Sequence, residues 1–405
     1  MPADHARRSP FRFFGILRES PSAHFHLLQI VVFAYVAWRF LSRNYSVYGL
    51  FDEGAFDWKT TQNNHVEFWP RPPLYFTGTQ FLYAFLPRPG YGFYRVLQYV
   101  IAAAAGLGLL GLVPRLAAFT ALLGGLHFKA LMVSSNGMTD GGTLAMAGLF
   151  VLMIAPREAF YGPGRLPFHG ERSTAQHWPI AVFWILVGAF YTYSGVNKVI
   201  HFGLFWPFRI HIENLASMAL ERAPFVSSRH VHPEVCRLLT HAWMSHVSGA
   251  VTLIGEVGFI SILVWPRGRF FFAMSMIVLH ALVFALQAIN FLGSSCLLLL
   301  CLDWNACARR VEVSGAFAES AFFRWVRSLP TFGRIVWKES GGAAGIAHFV
   351  ATDEDTTRYE GLAAVDQIFL RSYLLWPFAV VFRLPGAIPA LEFLVRAFRP
   401  GARAD

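Results

Sequence analysis

Apolar residues recur along this chain in long blocks, not in the short alternating or 3.6-residue patterns of a soluble domain. Blocks fall near 25–42, 94–113, 115–133, 140–155, 178–198, 242–265, 269–288 and 290–304. They reach or approach the ~17–25 residues of helix that a bilayer core requires. The pattern predicts an all-α polytopic membrane bundle of about eight transmembrane helices. Arginines mark alternate connections: Arg7, Arg8, Arg12 and Arg18 ahead of the first block, Arg115, then Arg157, Arg165 and Arg172, then Arg267 and Arg269, then Arg309 and Arg310. All of these share one side if the N-terminus is cytoplasmic, as the excess of basic residues in cytoplasmic loops requires. The run 73–86 breaks this agreement if counted as a span, and is read as interfacial or re-entrant.

The register leaves 43–93, 134–140 and 199–241 outside the cytoplasm. The first holds Asp52, Glu53, Asp57 and Glu67; the last holds His201, Trp206, His211, His230 and His232. The expected organisation is a cytoplasmic segment 1–24, a membrane domain 25–310 and a cytoplasmic tail 311–405. In the tail the apolar runs are short and mixed with Gly341, Gly342, Gly345, Asp353, Glu354 and Asp355. The tail either packs on itself, with an α/β fold open to it, or lies on the membrane.

Composition agrees with this pattern. Hydrophobic residues make up 55% of the 405 and charged residues 14%, against about 25% charge in an ordinary soluble domain. A disordered chain, a collagen, a coiled coil and a soluble enzyme are excluded. The net charge of +10 sits mostly in inter-helix connections, so it reads as an orientation signal and not as a nucleic-acid surface. The partner it implies is the lipid bilayer. Only Lys59, Lys129, Lys198 and Lys338 are lysines, and the four cysteines form no disulfide framework. No cleavable signal peptide is expected, since the first 24 residues lack an apolar core.

Ionisable groups inside spans are costly and mark places to look for function. His241, Ser245, Ser248, Thr252 and Glu256 follow spacings that place them on one helical face. They line a cavity or glue two helices together. Tyr191, Ser194 and Lys198 share a face of the preceding block, with Asn197 beside them. Lys198 is either a snorkelling anchor or, kept from water, a general base. His280 and Gln287 share a stripe of the next block, where a lone histidine serves as a hydrogen-bonded core residue or a catalyst. Asn136 and Asp140 add polarity after the third block. His230, His232, His241 and His246 form a single loose cluster with no second set, so no metal is expected. There is no phosphate-binding glycine loop and no nucleophile elbow.

Tyr193-Ser194-Gly195-Val196-Asn197-Lys198 resembles the Tyr/Phe-x-Ala-Gly-Val-x-Lys stretch of vitamin K-dependent gamma-carboxylase and its bacterial HTTM (horizontally transferred transmembrane) relatives. Trp206, then Gly255-Glu256-Val257-Gly258-Phe259, then Phe270-Phe271-Phe272 and His280 follow in that family's order, over roughly 25–305. The resemblance implies an inner-membrane protein with cytoplasmic termini and a lipid-like or quinone substrate. Reduced vitamin K or menaquinone is the cofactor it implies. By position Lys198 would be the base that deprotonates the quinol, His280 would orient oxygen or carbon dioxide intermediates, and Glu256 would be a cavity acid. Asn197 stands where the carboxylase has a further lysine, the carboxylase's Asn-Asn-His histidine is missing from 134–140, and its large lumenal region has no counterpart. Quinol oxidation is therefore the expectation, not carboxylation of protein glutamate. The competing expectation is a non-catalytic scaffold or maturation factor; a transporter ranks behind both, since no inverted repeat is visible.

In the tail, Tyr359-Glu360-Gly361-Leu362-Ala363-Ala364-Val365 and Leu384-Pro385-Gly386-Ala387-Ile388-Pro389 resemble the C-terminal half of a DCC-type thiol-disulfide oxidoreductase domain. Its Cys-x-x-Cys pair is absent: Asp303-Trp304-Asn305-Ala306-Cys307 offers one cysteine. Such a copy would be inactive in thiol exchange.

Overall fold

The computed structural model describes residues 23–42, 89–136, 142–163, 174–206, 237, 241–287, 292–302, 304, 310–314, 321–329, 335–338, 350–353, 357–372, 375, 378–383 and 386–397. It is mostly helical. The chain divides into two compact units, one of residues 1–260 and 276–300, the other of 261–275 and 301–405.

The first unit is built from α1 (Ala23–Ser42), α2 (Tyr91–Leu109), α3 (Pro114–Asn136), α4 (Thr143–Ile154), α5 (Thr174–Phe202), α6 (Ala242–Gly258) and α8 (Leu292–Leu298), with the later part of α7 (Pro266–Gln287). Its core begins on α1, where Phe25, Leu28, Val32, Val36 and Phe40 recur at helical spacing and are buried. Small residues let neighbours approach: a Cβ on Gly108 of α2 would stand 2.3 Å from the Phe33 ring, and one on Gly148 of α4 2.5 Å from Val32. Close packing over small residues is how helices associate in lipid. Opposite faces stay apolar and outward, with Val96, Leu107, Leu116, Leu123, Val251 and Ile254 all exposed. Several polar side chains inside bond to backbone. Gln29 donates to the Gly108 carbonyl at 3.0 Å, Gln98 to that of Phe40 at 2.6 Å, and Trp184 to that of Leu300 at 3.0 Å.

Among the described residues four helices are long and apolar enough to cross a membrane: His24–Ser42, Tyr91–Leu109, Ala175–Phe202 and Ala242–Leu263. Eight spans are thus not shown. The block 140–155 yields a 12-residue helix, α4. Among its described residues, the block 290–304 forms the seven residues of α8 followed by a 3₁₀ turn, Leu299–Cys301. Within α7 the described side chains give an apolar helix over Gly268–Val283.

The chain is also not wholly helical. The second unit holds a four-stranded sheet of β1 (Val311–Ser314), β2 (Ile335–Lys338), β3 (Val350–Asp353) and β4 (Arg358–Glu360), in the order β2-β1-β3-β4. β1 pairs parallel with β2, placing Val311 opposite Ile335, and the crossover between them carries α9 (Ala321–Arg327). β3 runs antiparallel to β1 and forms a hairpin with β4. Then come α10 (Leu362–Arg371), α11 (Ala379–Arg383) and α12 (Ala387–Ala397). Val311 and Val313 of β1 pack with Phe323, Val326, Ala351, Leu362, Val365 and Ile368 in one core. The tail thus contains a small α/β unit packed on its own core.

Candidate functional site

The site residues gather where α5 meets α6. Contacts step down α5 as they step up α6, from Lys198 with Glu256, through Thr192 with Val257, to Gly188 with Ile260, so the helices run antiparallel. Gly195 sets their separation: a Cβ there would lie 2.7 Å from the Val257 nitrogen and 2.9 Å from the Glu256 Cβ. That approach brings the charged groups together. Lys198 donates to Glu256 Oε1 at 2.6 Å and to Oε2, and to the Ser194 hydroxyl at 3.1 Å. Ser194 in turn donates to Glu256 Oε1 at 3.3 Å. The side chains keep only 18% and 8% of their surface. An unpaired charge at mid-membrane costs roughly 2.5–3.5 kcal/mol on the insertion scale, so each member makes the other tolerable.

Lys198 therefore does not snorkel. It turns inward, and Trp206 covers it with its ring centroid 5.4 Å from Nζ. The end of α5 makes this possible. Gly203 adopts φ +75°, a left-handed conformation that a side chain would strain, and its N–H bonds to the Val199 carbonyl at 2.8 Å. The chain then folds back far enough for the indole to reach the lysine.

Two turns further along α5 lies a second polar group. The Tyr191 hydroxyl is 3.2 Å from His280 Nε2, and the Ser295 hydroxyl is 3.4 Å from Nδ1. A neutral imidazole donates from one nitrogen and accepts at the other, so one hydroxyl accepts from the ring and the other donates to it. Tyr191 also stacks on Phe259, centroids 4.8 Å apart. Both polar groups thus hang on one face of α5.

The other expected site residues are placed as follows. Ser245 is fully buried, while Thr252 donates to the Ser248 carbonyl of its own helix at 2.8 Å. His241 is exposed at the start of α6 and makes no capping bond. The stripe is therefore not one continuous lining: its ends differ, and Glu256 alone of the five reaches Lys198. Asn197 is half-buried beside the pair. Asn136 and Gln287 lie in helices, their side chains outside the described residues, as are Asp140, His230 and His232 altogether. Among the described residues no three His, Cys, Asp or Glu side chains come together as a metal site would need.

Sequence reasoning missed Ser295, Thr192 and Phe259. Thr192 receives the Ile260 N–H at 3.1 Å and donates to the Val257 carbonyl at 3.4 Å, which secures the turn where α6 ends. Ser294-Ser295 interrupts an apolar block and is the one signal that pointed to Ser295.

The chain matches no family model, no curated protein and no solved structure. Its function has to be argued from this geometry.

Proposed function

We propose that the chain is a multi-pass membrane protein in which Lys198 and Glu256 form a proton-transfer centre for a lipid-soluble quinol, as its likeness to the vitamin K-dependent gamma-carboxylase group implies. The observation that carries this reading is the buried ammonium held between a hydroxyl and a carboxylate. In this reading a proton passes from the Lys198 ammonium to Glu256 along their existing hydrogen bond, leaving a neutral amine. The amine then takes a proton from a phenolic hydroxyl brought beside it, giving a phenolate and restoring the ammonium. Ser194 keeps Nζ aimed through the exchange, and Trp206 excludes water above it.

A reduced vitamin K or menaquinone suits this donor set: a base for its hydroxyl, with aromatic rings of Tyr191, Phe259 and Trp206 nearby. When bound it would supply the two electrons that reduce oxygen. To meet a reacting group, His280 would exchange one of its two bonds, to Tyr191 or to Ser295, for one to that group.

A second reading has its own observation. The close approach at Gly195 and the pair beside it also describe a clamp between α5 and α6, as a non-catalytic scaffold for a lipid, quinone or protein partner would need. The test is oxygen-dependent consumption of menaquinol and vitamin K hydroquinone by the protein in nanodiscs, wild type beside Lys198→Met. Turnover lost in a still-folded variant supports the enzyme. No turnover by wild type with either quinol leaves the clamp.

The tail supports the DCC-type likeness in its strand order, since a thioredoxin-like redox motif sits beside a βαβ unit and β1-α9-β2 is one. The residues between β1 and α9 read Gly315-Ala316-Phe317-Ala318-Glu319-Ser320, without cysteine. The tail then acts through its surface and not through thiol exchange.

A further inference from the structure

The second unit carries an aromatic face that its own core leaves outside. On α9 the inward residues Phe323 and Val326 are each 1% exposed, while Phe322 and Trp325 are each 46% exposed. Their rings lie 5.8 Å apart, Phe322 reaches Phe369 of α10 at 6.3 Å, and Phe369 meets Phe382 of α11 at 5.4 Å. Phe378 and Val381 precede Phe382 by four residues and one, and are 59% and 41% exposed. Phe369 and Phe382 are half-buried against the core, and the exposed rings flank them on α9 and at the start of α11, whereas isolated exposed apolar residues need no explanation.

Charge is sorted around it. Acids on the strands have cations of their own: Glu312 pairs with Lys338 at 2.5 Å and Arg310 at 2.8 Å, and Glu360 with Arg358 at 2.9 Å. Helix α9 holds Arg324 and Arg327 and no acid. Arg327 lies over the Trp337 ring at 4.8 Å, and Arg324 is exposed beside the aromatic patch. The same unit also contains residues 261–275, which begin inside the membrane-length stretch Ala242–Leu263. Residues 261–263 thus join this unit to a stretch long and apolar enough to cross a membrane.

We propose that this face rests on the bilayer surface, with Phe322, Trp325 and Phe378 at headgroup depth and Arg324 among anionic lipid phosphates. Aromatic rings beside arginine are the composition that interfacial helices use. A soluble protein partner accounts for the rings but not for the tether through 261–263.

The test places nitroxide labels at Trp325→Cys, Phe378→Cys and Glu360→Cys, one at a time. The full chain, with Cys236, Cys296 and Cys307 replaced by serine and the fully buried Cys301 kept, sits in phosphatidylcholine nanodiscs with or without phosphatidylglycerol. Labels at 325 and 378 are expected to collide more with oxygen than with a water-soluble nickel chelate, and the label at 360 to show the reverse. Arg324→Gln is expected to shift the 325 label toward water only in the phosphatidylglycerol discs. If 325 and 378 are as open to nickel as 360, the face is open to water and the proposal fails. An oxygen preference indifferent to lipid charge and to Arg324→Gln overturns the assignment of phosphates to Arg324. Because the labels replace exposed side chains, the core is left intact.

Discussion

Each unit of this protein buries one ion pair to nearly the same degree, and the two pairs are built differently. Lys198 and Glu256 keep 18% and 8% of their side-chain surface; Arg383 and Asp366 keep 14% and 8%. The arginine grips its carboxylate with a fork, Nε to Oδ1 at 3.1 Å and Nη2 to Oδ2 at 2.9 Å, and Gln367 adds a bond to Oδ2 at 3.3 Å. A planar guanidinium held this way has one geometry and keeps its proton. The lysine is a point charge with rotatable donors, shared between Ser194 and both oxygens of Glu256. Burial is the same, but only the lysine pair can exchange a proton or swap a partner. The first pair is suited to chemistry and the second to holding α10 against α11.

The largest effect expected from breaking this comparison is at Glu256. Glu256→Leu leaves Lys198 buried and unpaired, and should cost about 3–5 kcal/mol in thermal or denaturant unfolding in nanodiscs. Adding Lys198→Met should recover most of that loss while quinol turnover stays absent. A double variant that turns over normally would refute the proton-transfer role. Asp366→Leu should destabilise the tail by a similar amount, with Arg383→Met again restoring it, and leave turnover at the wild-type rate.

A smaller effect is expected at the seam. Gly195→Ala forces α5 and α6 apart and should cost about 1–3 kcal/mol, with a fall in turnover if the pair's geometry matters. Ala in place of Gly106, whose Cβ would meet nothing within 4 Å, is the control and should be neutral or mildly stabilising. Smaller again is Tyr191→Phe, which removes one hydrogen bond from His280 and should cost about 0.5–1.5 kcal/mol.

The smallest effect belongs to the exposed pair on the sheet. The Lys338 hydrogen bond, against some desolvation and helped by the Lys338 and Arg310 charges, holds the Glu312 carboxyl below its ordinary 4.5. A carboxyl lowered by folding stabilises fully above its unfolded value and loses that contribution as pH falls through the lowered one. The protection of β1 and β2 amides against exchange, relative to their intrinsic rates at each pH, should therefore fall slightly as pH drops below about 4.5, and Glu312→Gln should remove that dependence.

Parts of this site were legible along the chain. Helical spacing alone put Tyr191, Ser194 and Lys198 on one face, and the structure hangs both polar groups on that face. The five-residue stripe on α6 was a poorer guide. Periodicity gives a side chain's angle around its helix but not what it meets, so His241 ends exposed, Thr252 bonds to its own backbone and Glu256 finds the lysine. Block length was also an uneven guide: 140–155 is apolar enough to suggest a span, yet gives the 12-residue helix α4.

The sequence by itself determined that long apolar blocks form helices, four of them long and apolar enough to cross a membrane among the described residues, and which residues are available for chemistry. These follow from properties local to a few turns: hydropathy, spacing and the cost of a charge in lipid. Only the tertiary structure decided that Lys198 meets Glu256 across 58 residues and that Tyr191 meets His280 across 89. It alone decided that four strands of three or four residues close into a sheet. Helix faces that meet are chosen by close approach, as at Gly195, and strands this short are stable only through their neighbours. Neither leaves a mark on the chain that can be read in isolation.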